Sequence, residues 1–282
     1  MPDPPKLTSP QFVILSACFG AVIEQSLTSM VMIVDRLRDP ARKNGGTFVP
    51  TLMLLNNLFN AIYNASSIFP LYNEHSCVPM GFVCNVSAHI YFLSFDVFVL
   101  FIAHAMSNKS IWVKRASAAL LLHRAGWACY DLAVSGAVWD ADGQECYYYQ
   151  VPESSYFPVG DILCDCFATG VITMVVFTRL TLDSNMSKAL IERNFVRSIT
   201  VLGANLFAVY AANNWGDSIF WLSLSVAFQS YVLARAMNFD LLFEETLNVR
   251  LNKQSTGQHI YQSVRKSSAK ARASLTPSDS KT

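Results

Sequence analysis

Seven long windows of this chain contain almost no charge, and that distribution limits its fold more than any other feature. They run roughly from Gln11 to Val34, Thr47 to Phe69, Gly81 to Met106, Ala116 to Val138, Pro158 to Thr181, Val196 to Ala212 and Ser218 to Met237. An apolar stretch of about 20 residues is what a helix needs to cross ~30 Å of hydrocarbon. Backbone in lipid must satisfy its own hydrogen bonds, so spanning segments are helices or closed barrels. Barrel strands alternate over about 10 residues, whereas these windows are longer and more uniformly apolar. The sequence predicts an all-α, seven-helix integral membrane bundle. Composition agrees, with 52% of the 282 residues hydrophobic and 15% charged, against about 25% charged in soluble domains.

The charges between the windows are asymmetric. Segments after the first, third and fifth windows hold Arg36, Arg38, Arg42 and Lys43, then Lys109, Lys114 and Arg115, then Lys188, Arg193 and Arg197. The C-terminal tail adds Arg250, Lys253, Arg265, Lys266, Lys270, Arg272 and Lys281. The alternate segments hold no lysine or arginine. Lysine and arginine stay on the cytoplasmic side, which places the N-terminus outside and the C-terminus in the cytoplasm. The first window is too long for a cleaved signal and carries Glu24 and Gln25, so it is expected to enter the membrane as its own signal. The plasma membrane is the expected location, with other secretory membranes as the alternative.

One cation falls deep inside a window. Arg124, in the stretch ALLLHRAGWACYD, interrupts the fourth. A charge at bilayer depth costs several kcal/mol and faces the bundle interior with a partner. Counting ~1.5 Å per residue from the window ends puts Arg124 roughly 12 Å deep, with Glu24 and Asp96 at nearly the same level. Asp96 is the preferred partner, since a short loop joins the third and fourth windows, and Glu24 is the alternative. Asn56 and Asn57 fall in the same middle zone, as do Asn205 and Gln229, giving a polar belt. Asn56, Asn60 and Asn64 recur every four residues and form one stripe. Interhelical polar groups also serve as plain helix glue.

Nearer the outside, Asp131 lies two turns from Arg124, and Asp161 and Asp165 are one turn apart. With Trp127, Tyr63, Asn64 and His89 they would line an outward-opening cavity for a small ligand. Cys77, Cys84 and Cys146 lie on the exterior side, where disulfides persist. A bridge from Cys84 or from Cys77 to Cys146 would pin the long outer loop DADGQECYYYQVPESSYF over the bundle mouth.

Seven helices, an outer N-terminus and a cysteine at the top of the third span beside one in the second outer loop resemble the architecture of G-protein-coupled receptors. The resemblance covers the bundle and is topological. The third span ends FIAHAMSNKS rather than with Asp/Glu-Arg-Tyr, and the last ends SYVLARAMNFD without Asn-Pro-x-x-Tyr. What it implies here is a Cys84–Cys146 disulfide and a sensing role.

Other classes fare worse. Retinal proteins need a lysine in the last span, and every lysine lies outside the windows. Zinc hydrolases need clustered ligands, whereas His89, His104 and His123 are spread apart. No catalytic grouping, metal site or cofactor is expected, so the chain reads as a non-enzyme. After the last window, residues 238–254 read as an amphipathic interfacial helix and 255–282 as a disordered, basic, serine-rich tail. Residues 1–10 form a short outer arm. The leading function is a receptor-like sensor of a small outer ligand. A transporter or channel using the polar belt, and a non-catalytic membrane organiser, are the alternatives. Membrane lipids, a small-molecule ligand and a cytoplasmic signalling protein are the expected partners, and nucleic acid is not.

Overall fold

A computed structural model describes residues 8–38, 47–68, 74–141, 145–149, 157–179, 185–215, 218 and 220–239. The outer arm through residue 7, the interfacial helix beyond 239 and the tail lie outside the described residues. Seven helices stand among those described. They are α1 (Ser9–Arg38), α2 (Phe48–Ile68), α3 (Glu74–Met106), α4 (Ile111–Val134), α5 (Phe157–Arg179), α6 (Asn185–Trp215) and α7, residues 220–239. Four of them, α1, α3, α5 and α6, are long and apolar enough to cross a membrane, and the chain is a membrane-embedded protein.

The packing is inside-out relative to a water-soluble bundle. Large apolar side chains such as Leu122, Met174, Phe177 and Trp112 face outward. Polar ones such as Asn56, Asn57, Asn60, Asn64, Arg124 and Ser230 are buried. Lipid tails offer no hydrophobic drive for helices to associate, so contact, small residues and interhelical hydrogen bonds must supply it. The asparagines that lower the hydropathy of α2 are among these inward-facing residues, as is Arg124 of α4, whereas Lys114, Arg115 and His123 of α4 are exposed.

Helix α3 is the hub. It packs on α2, α4 and α5, with Tyr91, Phe95, Val99 and Leu100 almost fully buried. Asn108 and Lys109, at φ 57 and 59°, turn the chain tightly between α3 and α4. Asn tolerates this left-handed conformation better than most residues. The turn sets α4 antiparallel against α3 and brings Arg124 alongside Asp96. Helix α7 joins α2 through Asn57 and Asn238, whose side-chain amides exchange hydrogen bonds at 3.0 and 2.8 Å.

Two expectations are corrected. The fourth window does not stay helical to Val138: α4 ends at Val134, and β1 (Gly136–Asp140) and β2 (Glu145–Tyr149) form an antiparallel hairpin in the outer loop, with Trp139 opposite Cys146. The disulfide joins Cys146 to Cys77, not to Cys84. The reason is the length of α3, which starts at Glu74 rather than near Gly81. Cys77 sits in its first turns, level with β2, whereas Cys84 lies two turns lower and faces Ser67 of α2 at 3.4 Å. The hairpin also lies close on α3, since a Cβ on Gly81 would meet the Ala137 Cβ at 2.1 Å.

The bridge closes a 69-residue separation, for which loop entropy alone gives up to about 4 kcal/mol. Cys146→Ser is expected to lower the melting temperature of the purified chain by several degrees, and Cys84→Ser to leave it unchanged. Non-reducing peptide mapping should recover a Cys77–Cys146 linked pair. A Cys84–Cys146 pair would refute the assignment.

Candidate functional site

Arg124 has no accessible surface. Its Nε donates to Asp161 Oδ1 and its Nη2 to Asp161 Oδ2, the latter at 3.4 Å, so one carboxylate takes the guanidinium fork. Asp96 Oδ2 forms a second, looser ion pair at 3.9 Å. Nη1 donates to His89 Nδ1 at 3.4 Å. That bond leaves the His89 proton on Nε2, where it meets Asp131 Oδ2 at 2.8 Å. The other Asp131 oxygen accepts from the Ser135 hydroxyl at 2.7 Å. Ser135 is the residue before β1.

Local sequence makes this convergence possible. Arg124 and Asp131 lie seven apart in α4, two turns on one face. His89 and Asp96 repeat the same spacing on α3. Gly160 lets α5 approach, because a Cβ there would meet the Arg124 Cδ at 2.9 Å. Asp161 follows it directly. Further along α5, Asp165 accepts from Asn205 of α6, whose Oδ1 accepts from Gln229 of α7 at 2.7 Å. Polar contacts thus run from the hairpin base through α4 and α3 to α5, and a second set runs from α5 through α6 to α7.

The expected partners of Arg124 divide. Asp96 is paired with it. Glu24 is not: it is exposed on α1, its carboxylate accepting from Thr28 at 3.4 Å. Helix α1 packs on α2 and α7, not on α4. Asp161, assigned to the outer cavity from sequence, is instead the closest partner. The depth count assumed that every helix starts in one plane. Helix α5 starts lower, since Gly160 lies level with Arg124, about 15 Å of helix short of the end of α4.

Of the residues expected around a cavity, Asp131, His89, Asp161 and Asp165 do gather near Arg124. Trp127 does not join them. It turns outward, donates to His123 at 3.1 Å and lines a surface cleft with Leu122, Gly126 and Tyr130. Tyr63 stacks on Tyr91 at 6.4 Å, and Asn64 donates to Asn60 at 2.9 Å. Asn56 donates to the Tyr91 carbonyl at 2.9 Å and to Ser94 at 3.0 Å, while Asn57 holds Asn238. Both asparagines tie α2 to its neighbours rather than touching Arg124. The α2 stripe continues to α1, where Asn60 donates to Ser26 at 3.0 Å.

No protein-family model matches the chain, and no curated protein matches it. The likeness to G-protein-coupled receptors is therefore one of helix number and of a bridge from the top of α3 to the second outer loop, in which Cys77 stands where the resemblance implied Cys84.

Removing one member of a buried ion pair costs about 3–5 kcal/mol because the other charge is left unpaired. Arg124→Leu is expected to destabilise by that order, and Glu24→Gln to stay within about 0.5 kcal/mol. In a double-mutant cycle, Arg124→Gln and Asp161→Asn should couple by more than ~1 kcal/mol. Additive losses, measured by thermal unfolding in detergent, would remove Asp161 as the partner.

Proposed function

We propose that the chain is a receptor-like sensor in which a small ligand at the outer hairpin shifts an equilibrium held by the Arg124 ion pairs. All seven helices cross the membrane in this reading, with the N-terminus outside, the C-terminus cytoplasmic and the plasma membrane as the location. The positive-inside distribution supports that orientation, and the burial of Asn56, Asn57, Asn60 and Asn64 on α2 and of Arg124 and Asp131 on α4 keeps those polar groups off the lipid face. The observation that carries the reading is the bonded path Ser135–Asp131–His89–Arg124–Asp161. It joins the base of the strapped hairpin to a charge pair between α4 and α5.

A ligand shifts such an equilibrium only by its differential affinity for the two states. Contact with Ser135, Asp131 or the Cys77–Cys146 strap would give it that difference. Weakening the Asp131–His89 bond frees the imidazole, which in turn holds one Arg124 nitrogen. Asp96, already 3.9 Å from Nε, is poised to take the guanidinium from Asp161. That exchange would tilt α5 against α3. A transporter is the second reading, favoured by buried polar groups on helices α1 through α7.

The test is a thermal-shift screen of the detergent-purified chain against amines, sugars, amino acids and lipids, beside Asp131→Asn. The expected result is a compound that raises the parent's melting temperature by several degrees and the variant's by far less. Saturable uptake of such a compound into vesicles holding the reconstituted chain would sink the sensor in favour of transport. Equal stabilisation of parent and variant would remove the hairpin path.

A further inference from the structure

The carboxylates around Arg124 outnumber the cation that holds them. Asp96, Asp161 and Asp165 are 2%, 5% and 1% exposed, and Arg124 is 0%. Three carboxylates against one guanidinium leave a formal charge of −2 when all are ionised (+1 − 3). The three interact electrostatically with one another and with the buried Cys164 beside them. Asp96 and Asp161 both pair with the Arg124 Nε, which crowds two carboxylates onto one guanidinium and makes their simultaneous ionisation costly.

A second observation points the same way. Asp165 Oδ1 is buried and has no hydrogen-bond donor, and Asp96 Oδ2 has none beyond its loose pairing with Arg124. One turn from Asp165 on the same face of α5, Thr169 Oγ1 is likewise buried without a hydrogen bond. Buried oxygens in this state call for a proton, an ordered water or an ion. The neutral groups facing them, Asn205 of α6 and Gln229 of α7, are already spent on Asp165 and on each other.

We propose that Asp96 and Asp165, on either side of Asp161, bind an exchangeable monovalent cation, a proton or a sodium ion, and that its occupancy keeps Asp161 on Arg124. With the cation bound, the excess negative charge is neutralised and Arg124 settles on one carboxylate. Without it, Asp96 and Asp161 compete for the guanidinium and the α4–α5 contact loosens. The site goes beyond the sensor reading and stands whether or not an outer ligand exists. The charged or titratable groups facing it are Tyr91 from α3, Arg124 from α4, and Asp161 and Cys164 from α5, and His89 reaches it through Arg124.

The experiment titrates sodium chloride against choline chloride at constant ionic strength, at mildly acid and mildly alkaline pH, and follows the melting temperature of the full chain. No added ligand is used, so failure here is separable from failure of the sensor. A sodium site predicts a saturable rise of roughly 5 °C or more in the parent that is lost in Asp165→Asn. A proton site predicts indifference to sodium and a melting temperature that falls as pH rises, with a slope clearly shallower in Asp165→Asn. Asp96→Asn serves if Asp165→Asn does not fold, and Glu24→Gln, an exposed carboxylate, is expected to behave as the parent. A parent indifferent to both cations overturns the proposal. So do responses in Asp96→Asn and Asp165→Asn that match the parent's.

Discussion

A guanidinium with no accessible surface dictates much of this structure. Burying Arg124 away from water is tolerable only with opposite charge and hydrogen bonds at hand. The chain supplies Asp161, Asp96 and His89 from two other helices. Those contacts require α5 to come close enough that only glycine fits at position 160. They require α3 and α4 to be antiparallel neighbours, which the tight turn at Asn108 and Lys109 enforces. The surrounding polar residues have less freedom than a general preference for helix glue suggests.

The rest of the bundle repeats that logic with neutral groups. One face of α2 carries Asn56, Asn60 and Asn64, and each makes a bond at a different level. Asn57 and Asn238 exchange amide hydrogen bonds between α2 and α7. Each such bond contributes about 0.6–2 kcal/mol in a membrane protein. They also fix rotation, because a helix turned by one residue would show its asparagines to lipid. Helix α3 is the most enclosed of the four long apolar helices, with Tyr91, Phe95, Val99 and Leu100 packed inward while Phe82 and Phe101 face out.

Much of this was legible in the sequence, for reasons that can be named. The seven helices follow from charge-poor windows, which depend on length and composition alone. The four-residue spacing of the asparagines announced a buried stripe, and the short turn after Met106 announced the Arg124–Asp96 neighbourhood. What was not legible depended on vertical offsets between helices. Asp161 was misplaced by assuming a common starting plane for every helix, and Glu24 because a depth count does not show which helices are neighbours or which face a residue takes. Cys77 stood second to Cys84 as the partner of Cys146 because polar residues at Glu74 and His75 hid two extra turns of α3. The hairpin had a signal, the Asp-Gly pair at 142 and 143 between β-branched and aromatic residues. The fourth window, drawn through Val138, ran over the first strand and masked that signal. The outward turn of Trp127 had no signal, since one-dimensional spacing placed it near the same face as Arg124.

The Gly160–Arg124 contact has a consequence for how the chain is made. On the seven-span reading, α4 leaves the ribosome before α5. At that moment Arg124 has only Asp96 and His89 available, and its closest partner is still being synthesised. Helix α4 is therefore a poor candidate for release into lipid by itself. It is better retained beside α3 at the insertion machinery until Asp161 arrives more than thirty residues later. On that reading the integration of α4 becomes a matter of timing, with α3, α4 and α5 passing into the bilayer together.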